Sequence, residues 1–583
     1  MKLIKKIKKI LISLKNSYRR FPITIAFSTA LVIMLIVLAE RGPNLSAEAR
    51  EALERINMVI ALGIPLSLCI KLIFEKKKIY NKLYQGLGYI LGLGILVLYY
   101  FLLLKELNMI SIVRYIGVSL FLYLAFIYIP WINRKDGLED YVIKLLFDFF
   151  ITGVYSLVLY LGISAIIFTI NQLFNANIPG KFFYYAFLVV AGIFAPSLFL
   201  ARIPEMDEDL SKEEYPKSLK VLLLYIVIPL ITIYSSILYA YFLKIIITRD
   251  WPQGLVSHLV LWYSTISVTV IFFITPLLDQ NKWANRFKRW FPKYIIPILI
   301  MMFISIGIRV RAYGITENRY FVIVLGLWVF GIMLYFGFTK KLNNIVIPVS
   351  LSIIALNSVF GPLSSFSIAK LSQNKRLEGI LIRNNMIKDN SLIKAPEDIS
   401  YDDKGEISAI LDYFNRNHSL KEVKYLPENF KIDDMQTVFG FPYTEKNKYR
   451  NKYFHYALEE RNKALDISEY DYLLKGYNIG NAIKLDDNIL VSYNEGDFKF
   501  IIKEGDNIIY EGDLNKYGLE IVNRNKEINL ETKSLSMDNM TFVDENQKVK
   551  VKFIIEFISG ERGGDPEDII IRAIDYTVLI HIK

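Results

Sequence analysis

Long apolar runs dominate the first 360 residues of the chain. A helix needs about 20 apolar residues to cross a hydrocarbon core of about 30 Å. Eleven runs meet or approach that length: Phe21–Ala39, Ile56–Phe74, Gly86–Leu104, Ile112–Pro130, Phe149–Ile170, Phe182–Ala201, Val221–Ile247, Leu255–Leu278, Tyr294–Ile308, Tyr320–Phe338 and Asn344–Phe360. The pattern predicts an all-α polytopic membrane domain of about 11 transmembrane helices at residues 21–360.

The pattern changes after the last run, where the chain becomes soluble in composition. Residues 361–477 carry apolar positions at a loose helical period, which predicts an amphipathic connector continuing from the last span, then a helical or irregular region. Residues 478–583 alternate instead, with Val549, Val551 and Phe553 on one face of a strand. We therefore expect a soluble α+β tail ending in an antiparallel β-sandwich.

Charge is distributed unevenly between these regions. Residues 1–361 carry 38 basic and 19 acidic side chains, whereas residues 362–583 carry 31 and 38. If residues 1–20 are a basic cytoplasmic segment, 27 of those 38 cations fall on the cytoplasmic side, as the positive-inside rule requires. The net charge of +12 thus reflects membrane topology rather than nucleic-acid binding. Eleven crossings place the carboxyl-terminal domain outside the cytoplasm, and we expect a multi-pass membrane protein whose amino terminus is cytoplasmic.

Motifs for common chemistries are missing from the sequence. It has no Walker A loop, no His-Glu-x-x-His pair, no Cys-x-x-Cys and no Gly-x-Ser-x-Gly elbow. The four histidines have no second His or Cys at metal-ligand spacing, and the single Cys69 excludes an intramolecular disulfide. We predict no metal and no cofactor. The enzyme question stays open, with a non-enzymatic role favoured.

The segment "RVRAYGITENRYF" places three arginines between two apolar runs. Gly314 is suited to a left-handed helix cap, Thr316 to the start of the next helix, and Glu317 to its first turn. Arg309, Arg311 and Arg319 lie on the side of the membrane that the charge rule depletes of cations. Glu317 can neutralise only one of them, so we expect either acids from elsewhere or a bound anion.

Two further segments lie on the same predicted face. "TRDWPQG" offers Asp250 as a cap and Trp251 at the interface, and "GPLSSFSIAKLSQNKR" offers serines and cations just after the last span. All three segments could converge on one polar pocket. The ligand-binding residues of that hypothesis are Arg309, Arg311, Glu317, Arg319, Asp250, Trp251, Ser365, Gln373 and Arg376.

Two features inside the spans could indicate function but also have structural explanations. Asp148 could be a proton or cation site, because buried charge is costly in lipid, or it could pair with Lys144 one turn away. Gly88 and Gly92 form a small-xxx-small face on the third span, which close helix packing explains without a ligand.

Several stretches resemble a bacterial membrane family catalogued as domain of unknown function 4153. They are "IRVRAYGITENRYF", "WPQGLVSHLVLWYS", "GPLSSFSIAKLSQNKRL", "ISAILDYFNRN" and "ISEYDYLLKGYN". The resemblance covers the spans and the helical part of the tail, but not the β-rich part. It implies a polytopic envelope protein of bacteria with no established activity, so it assigns no catalytic residues.

Three functions remain open on the sequence alone. The first is a binding, scaffold or sensor protein whose extracytoplasmic domain meets a glycan, peptide or envelope protein. The second is a transporter or lipid-handling protein in which the arginines hold an anionic lipid headgroup. The third is a membrane transferase with Asp250 or Glu317 as the base. The expected partner in every case is the lipid bilayer, and nucleic acid is not expected.

Overall fold

The computed structural model describes residues 14–134, 136–206, 208, 214–248, 255–339, 341–389, 391–444, 453–459, 464–476, 482–525, 532–562 and 569–583. The chain divides into two compact units. The helical unit comprises the chain up to Pro396 together with Ile410–Gly440, and the β-rich unit comprises Glu397–Ala409 and Phe441–Lys583.

Ten helices among the described residues are long and apolar enough to cross a membrane. Asparagine and serine caps start several of them; Asn108, for example, accepts a hydrogen bond from the Ser111 N–H. Lys282–Tyr313 forms one of the ten, with a break at Ile295. In chain order the helices are α1 Pro22–Arg41, α2 Ala47–Lys76, α3 Lys82–Leu102, α4 Met109–Tyr128, α5 Leu138–Phe174, α6 Lys181–Leu200, α7 Lys217–Thr248, α8 Leu255–Ile274, α9 Lys282–Tyr294, α10 Ile296–Tyr313 and α11 Glu317–Phe338.

The eleventh predicted run is a shorter helix, α12 (Val346–Asn357), of 12 residues. At about 18 Å it is too short to span alone. Asn344, which precedes α12 and follows the end of α11, donates from its side chain to Thr275 Oγ1 at 3.0 Å. Leu363, which follows α12, accepts a hydrogen bond at 2.5 Å from the hydroxyl of Tyr320, near the start of α11. The segment around α12 therefore brings the chain back to the end of the helical unit at which α11 begins.

Close packing between α2 and α3 confirms the role predicted for the paired glycines. A Cβ atom at Gly88 would lie 2.4 Å from the Phe74 ring, and one at Gly92 would lie 2.6 Å from Ile70 Cδ1. Because neither position has room for a side chain, the two helices approach at these glycines.

The chain bends after α12 instead of continuing as one helix. Ser364 caps α13 (Ser365–Arg383), accepting a hydrogen bond from the Ser367 N–H at 3.4 Å. The predicted connector is therefore a separate helix. It is followed by a short hairpin and two helices: β1 Ile387–Lys388, β2 Ser391–Leu392, α14 Tyr401–Asn417 and α15 Met435–Val438.

Among the described residues, the β-rich unit contains two sheets, one helix after the fourth strand of the smaller sheet, and residues 401–409 of α14. The larger sheet has the order β4-β12-β11-β3-β9 with β10 also paired to β11, and the smaller is the meander β5-β6-β7-β8. All neighbours are antiparallel except β3 and β9, which are parallel. The elements are β3 Phe454–Leu458, β4 Tyr472–Lys475, β5 Ile483–Asp486, β6 Ile489–Asn494, β7 Lys499–Glu504, β8 Asn507–Asp513, α16 Leu514–Arg524, β9 Thr532–Leu535, β10 Thr541–Glu545, β11 Val549–Arg562 and β12 Ile569–Ile582.

Aromatic side chains join the two sheets into a sandwich-like core. The Phe500 and Phe553 rings meet edge to face at 5.1 Å, and Tyr493 and Tyr576 do the same at 5.1 Å. Such contacts contribute about 0.5–1.5 kcal/mol each beyond the burial of their area. The sandwich-like tail expected from the alternating pattern is thus present, although β3 and β4 lie before Asn478.

Candidate functional site

The turn between α10 and α11 is a tight hairpin at Tyr313–Thr316. Gly314 has φ +68° and ψ 178°, and its N–H donates to the Val310 carbonyl at 2.8 Å. The positive φ predicted for this cap is confirmed, but ψ is extended rather than left-handed helical. Thr316 begins α11 with an extended backbone and makes no side-chain cap hydrogen bond. The positive φ favours glycine here, and a Cβ atom would lie 2.8 Å from Gln373 Nε2, so the Gln373 amide would have to shift.

Helix α13 docks directly onto this hairpin through two side chains. Gln373 Nε2 donates to the carbonyls of Tyr313 and Ile315, each at 3.1 Å. Ser372 Oγ accepts a hydrogen bond from the Ile315 N–H at 2.8 Å. Buried backbone polar groups must find partners, and α13 supplies them for the hairpin. The chain after the last predicted span is therefore fixed to the turn before α11.

Two of the predicted binding arginines also contact the hairpin backbone. Arg319 donates to the Gly314 carbonyl at 2.9 Å and to the Tyr313 carbonyl at 3.3 Å. Arg376 donates to the Tyr313 carbonyl at 3.4 Å. Both guanidinium groups also lie over the Tyr313 ring, at 5.5 and 6.0 Å from its centre. Among the described residues, carbonyl oxygens and one aromatic ring thus meet the charge of Arg319, for which the sequence suggested an acid or a bound anion.

The other two predicted binding arginines both lie on α10, and they differ from this pair. Arg309 is half-buried and Arg311 is exposed. Within the part of the chain that the structure describes, the guanidinium group of neither residue makes a hydrogen bond or an ion pair. Arg309 and Arg376 also repel the charge of Arg319, so the end of α10 is a concentration of positive charge.

Glu317 is buried and is bound by two residues from the segment after α13. The Tyr413 hydroxyl lies 2.8 Å from each of its carboxylate oxygens, and His418 Nε2 lies 2.8 Å from Oε1. Both partners belong to the Ile410–Gly440 part of the helical unit. The sequence suggested that Glu317 neutralises an arginine. The structure gives it a tyrosine and a histidine instead, and the neighbouring Arg319 donates to backbone carbonyls.

The three side chains form a closed hydrogen-bonded set. The His418 side chain is fully buried, and its Nε2 also lies 3.0 Å from the Tyr413 hydroxyl. Its Nδ1 is buried and makes no hydrogen bond with any described residue. Burial raises the pKa of Tyr413, and the charge of Glu317 raises it further, so the phenol stays protonated at neutral pH and donates to the carboxylate.

Ser365, another predicted residue, does not join this cluster. Ser365 is buried at the start of α13, where its N–H donates to the Ser358 carbonyl at 2.9 Å. Asp250 and Trp251 lie outside the described residues. Ser372, Tyr413 and His418 were not singled out from the sequence. Tyr413 and His418 are about a hundred positions from Glu317, and no local pattern joins them to it.

Asp148, the predicted charge inside a span, can be placed. Asp148 Oδ1 accepts a hydrogen bond from Arg202 at 3.1 Å, an ion pair between α5 and the end of α6. In the described part of the chain, no group of three or more His, Cys, Asp or Glu side chains is arranged to hold a metal ion.

Comparison with known proteins places this arrangement in a family. The model of the family "Domain of unknown function (DUF4153)" matches residues 24–395, which include the spans, the hairpin and α13. The chain belongs to the DUF4153 family. An uncharacterized protein of Pasteurella multocida (strain Pm70) is 21% identical over 441 residues, covering 72% of this chain and 74% of the relative. No solved structure matches the chain.

The DUF4153 match ends before Tyr413 and His418. Glu317 lies inside the matched region, so its two hydrogen-bonding partners come from the chain that follows. We name the whole set of contacts the hairpin clamp: the Tyr313–Thr316 turn, Glu317, Arg319, Ser372, Gln373, Arg376, Tyr413 and His418. The clamp ties the DUF4153 region to the start of the chain beyond it.

Proposed function

We propose that this DUF4153 protein is a membrane-anchored binding protein of the bacterial cytoplasmic membrane. Its helical unit serves as the anchor, and its β-rich unit lies outside the cytoplasm, where it binds a glycan, a peptide or an envelope protein. The hairpin clamp fixes the segments that lead from the last span toward the β-rich unit.

One observation carries this proposal: the side chains of four predicted site residues are bound by other groups of the chain itself. Gln373, Arg319 and Arg376 all donate to hairpin carbonyls, and Glu317 is bound by Tyr413 and His418. Groups with internal partners exchange those bonds when a ligand binds, so they favour a structural role. This arrangement supports an anchor more strongly than a binding pocket.

The distribution of charge supports the proposed orientation. The hairpin end of the helical unit is opposite the end where α9 carries five lysines and arginines and no acid. The positive-inside rule assigns such cation-rich segments to the cytoplasm. The hairpin end, from which the chain continues toward the β-rich unit, is then the extracytoplasmic end.

Binding by the β-rich unit can be tested in living cells. The full chain is compared with a chain that ends at Gly440, both treated with a membrane-impermeant crosslinker. We expect a discrete adduct from the full chain only, and digestion with lysozyme or protease then separates a glycan partner from a protein partner. If the two chains give the same adducts, the β-rich unit is not the binding element and the proposal fails.

A second candidate function is favoured by Arg309 and Arg311. They make no hydrogen bond or ion pair with described residues and lie two positions apart near the end of α10. Because positions i and i+2 of a helix point in different directions, a lipid-handling or transport role would use each of them separately to contact a phosphate or carboxylate headgroup. The transferase alternative gains less from the structure, because Glu317 is already bound by two donors.

The second candidate has its own test. The variant Arg311→Glu, with Arg309→Glu as a companion, is reconstituted in vesicles of phosphatidylcholine containing phosphatidylglycerol, and headgroup binding is measured. A loss of binding in these variants, with an unchanged crosslinking pattern of the full chain, would favour lipid handling. Unchanged binding in both variants removes the support for this candidate.

A further inference from the structure

Helix α9 has a composition unlike that of any other helix in the membrane unit. Its 13 residues contain Lys282, Arg286, Lys288, Arg289 and Lys293, two tryptophans and no acid. Phe287 and Phe291 are buried, and their rings stack at 4.5 Å. Trp283 and Trp290 are exposed, the latter by 65%. Amphipathic helices that present cations and tryptophans are typical of membrane interfaces.

The exposed side of α9 forms one wall of an aromatic groove of about 600 Å³. Trp283 and Trp290 lie seven residues apart, hence on one face of α9. Thr232 and Tyr239 of α7 line the opposite wall with the same spacing. The Tyr239 hydroxyl donates to the Tyr294 carbonyl at 2.5 Å and closes one end of the groove.

Two cations line this groove, and no carboxylate among the described residues does. Arg286 and Lys293 are both exposed, and the Lys293 ammonium lies 5.7 Å from the centre of the Phe338 ring. Next to the groove, α7 exposes Leu230, Ile233 and Ile237. A continuous surface thus joins an apolar helix face to two positive charges.

We propose that this groove binds one anionic phospholipid. Its phosphate contacts Arg286 and Lys293, and the upper part of an acyl chain lies between the tryptophans of α9 and the face of α7. This site lies at the opposite end of the helical unit from the hairpin clamp, and the proposal does not depend on the proposed function.

Charge and size favour a lipid over other occupants. A free phosphate would satisfy the cations but would leave the aromatic walls uncovered. The exposed apolar face of α7 would also suit a transmembrane helix of a partner or a second copy, but an apolar helix would leave the charges of Arg286 and Lys293 without an anion. An anionic amphiphile matches both the charge and the apolar walls.

The site can be tested with brominated lipids that quench tryptophan fluorescence. The full chain is placed in nanodiscs of phosphatidylcholine containing a minor fraction of brominated phosphatidylglycerol, or the same fraction of brominated phosphatidylcholine. We expect greater quenching by the brominated phosphatidylglycerol, because lipids that merely surround the protein quench without regard to headgroup charge. Inorganic phosphate should not reverse the excess.

Matched variants assign the signal to the groove. Arg286→Gln with Lys293→Gln should weaken the preference for phosphatidylglycerol about fivefold for each charge removed. Arg289→Gln, on the same helix but not lining the groove, should leave the preference unchanged. Monodisperse elution and an unchanged circular dichroism spectrum verify folding of each variant.

Two outcomes would overturn the proposal. One is equal quenching by the two brominated lipids in the wild-type protein. The other is an equal effect per charge removed in the groove variant and in Arg289→Gln, which would mean that general charge attracts the lipid. A change in oligomeric state of the groove variant without a lipid preference in the wild type would assign the groove to a second copy.

Discussion

His418 Nε2 lies 2.8 Å from Glu317 Oε1, so the acid that begins α11 is bound by a residue about a hundred positions further along the chain. Tyr413 completes the contact by approaching both oxygens of the same carboxylate. Glu317 lies within the DUF4153 match and its two partners do not. The contact therefore holds the Ile410–Gly440 segment against the hairpin between α10 and α11.

Removing the Tyr413 hydroxyl should destabilise the clamp. In Tyr413→Phe the buried carboxylate of Glu317 loses one donor, which we expect to cost about 1–3 kcal/mol. The measurement is the thermal unfolding midpoint of the purified protein in detergent. Tyr80→Phe is the matched control, because Tyr80 is exposed and makes no hydrogen bond with described residues. Equal midpoints for the two variants would show that the contact contributes nothing.

A methyl group at the hairpin glycine should be poorly tolerated. Gly314→Ala places a side chain at φ +68° and 2.8 Å from Gln373 Nε2, and a strained backbone of this kind costs about 1–3 kcal/mol. Gly307→Ala on α10 is the control, because a Cβ atom there meets nothing within 4 Å. We expect faster proteolysis between α13 and α14 in Gly314→Ala only. Similar proteolysis of both variants would contradict the docking of α13 on the hairpin.

The apolar pattern predicts most of the helices of the helical unit. Lipid demands about 20 apolar residues in each spanning helix, so ten of the eleven runs form helices of that length. The run at Asn344–Phe360 differs because Pro348 lies in the first turn of a helix that ends at Asn357, and turns complete the segment. Hydropathy detects the apolar residues but not where the helix stops.

Fewer contacts of the candidate site can be predicted from the sequence. Gly314 could be predicted because a positive φ has a local residue preference. The partners of Arg319 and Arg376 could not, since backbone carbonyls leave no mark in a sequence. Tyr413 and His418 required tertiary structure, because only the fold brings them to Glu317.

Arg319 and Arg311 should behave differently when neutralised. Arg319→Gln loses its hydrogen bonds to the Tyr313 and Gly314 carbonyls, and we expect a loss of about 1–3 kcal/mol. Arg311→Gln should lie within about 0.5 kcal/mol of wild type, because Arg311 is exposed and has no described partner. Thermal unfolding of both variants in the same detergent compares them. A larger loss of stability in Arg311→Gln than in Arg319→Gln would contradict the structural role of Arg319.

Acidification should weaken the end of the last strand. The Ile582 N–H and His581 hold the pKa of Asp471 below its ordinary value of 3.8. A lowered pKa means that this contribution to stability is present above pH 3.8 and is lost as the pH falls through the value in the folded protein. Wild type should therefore unfold at a higher temperature than Asp471→Asn at neutral pH. The difference should shrink below pH 3.8. A difference that does not change with pH would show that the charge of Asp471 is not responsible.

The proposed binding function depends most on which side of the membrane the β-rich unit occupies. Cys69, the single cysteine, is first replaced by alanine, and a cysteine is then introduced at one of two exposed positions. Asp487→Cys lies in the turn before β6, and Gln280→Cys lies in the turn before α9. Labelling of intact cells with a membrane-impermeant maleimide should modify Asp487→Cys at once and Gln280→Cys only after lysis. The opposite result, with Gln280→Cys labelled and Asp487→Cys protected, would contradict the proposed orientation and the binding function that depends on it.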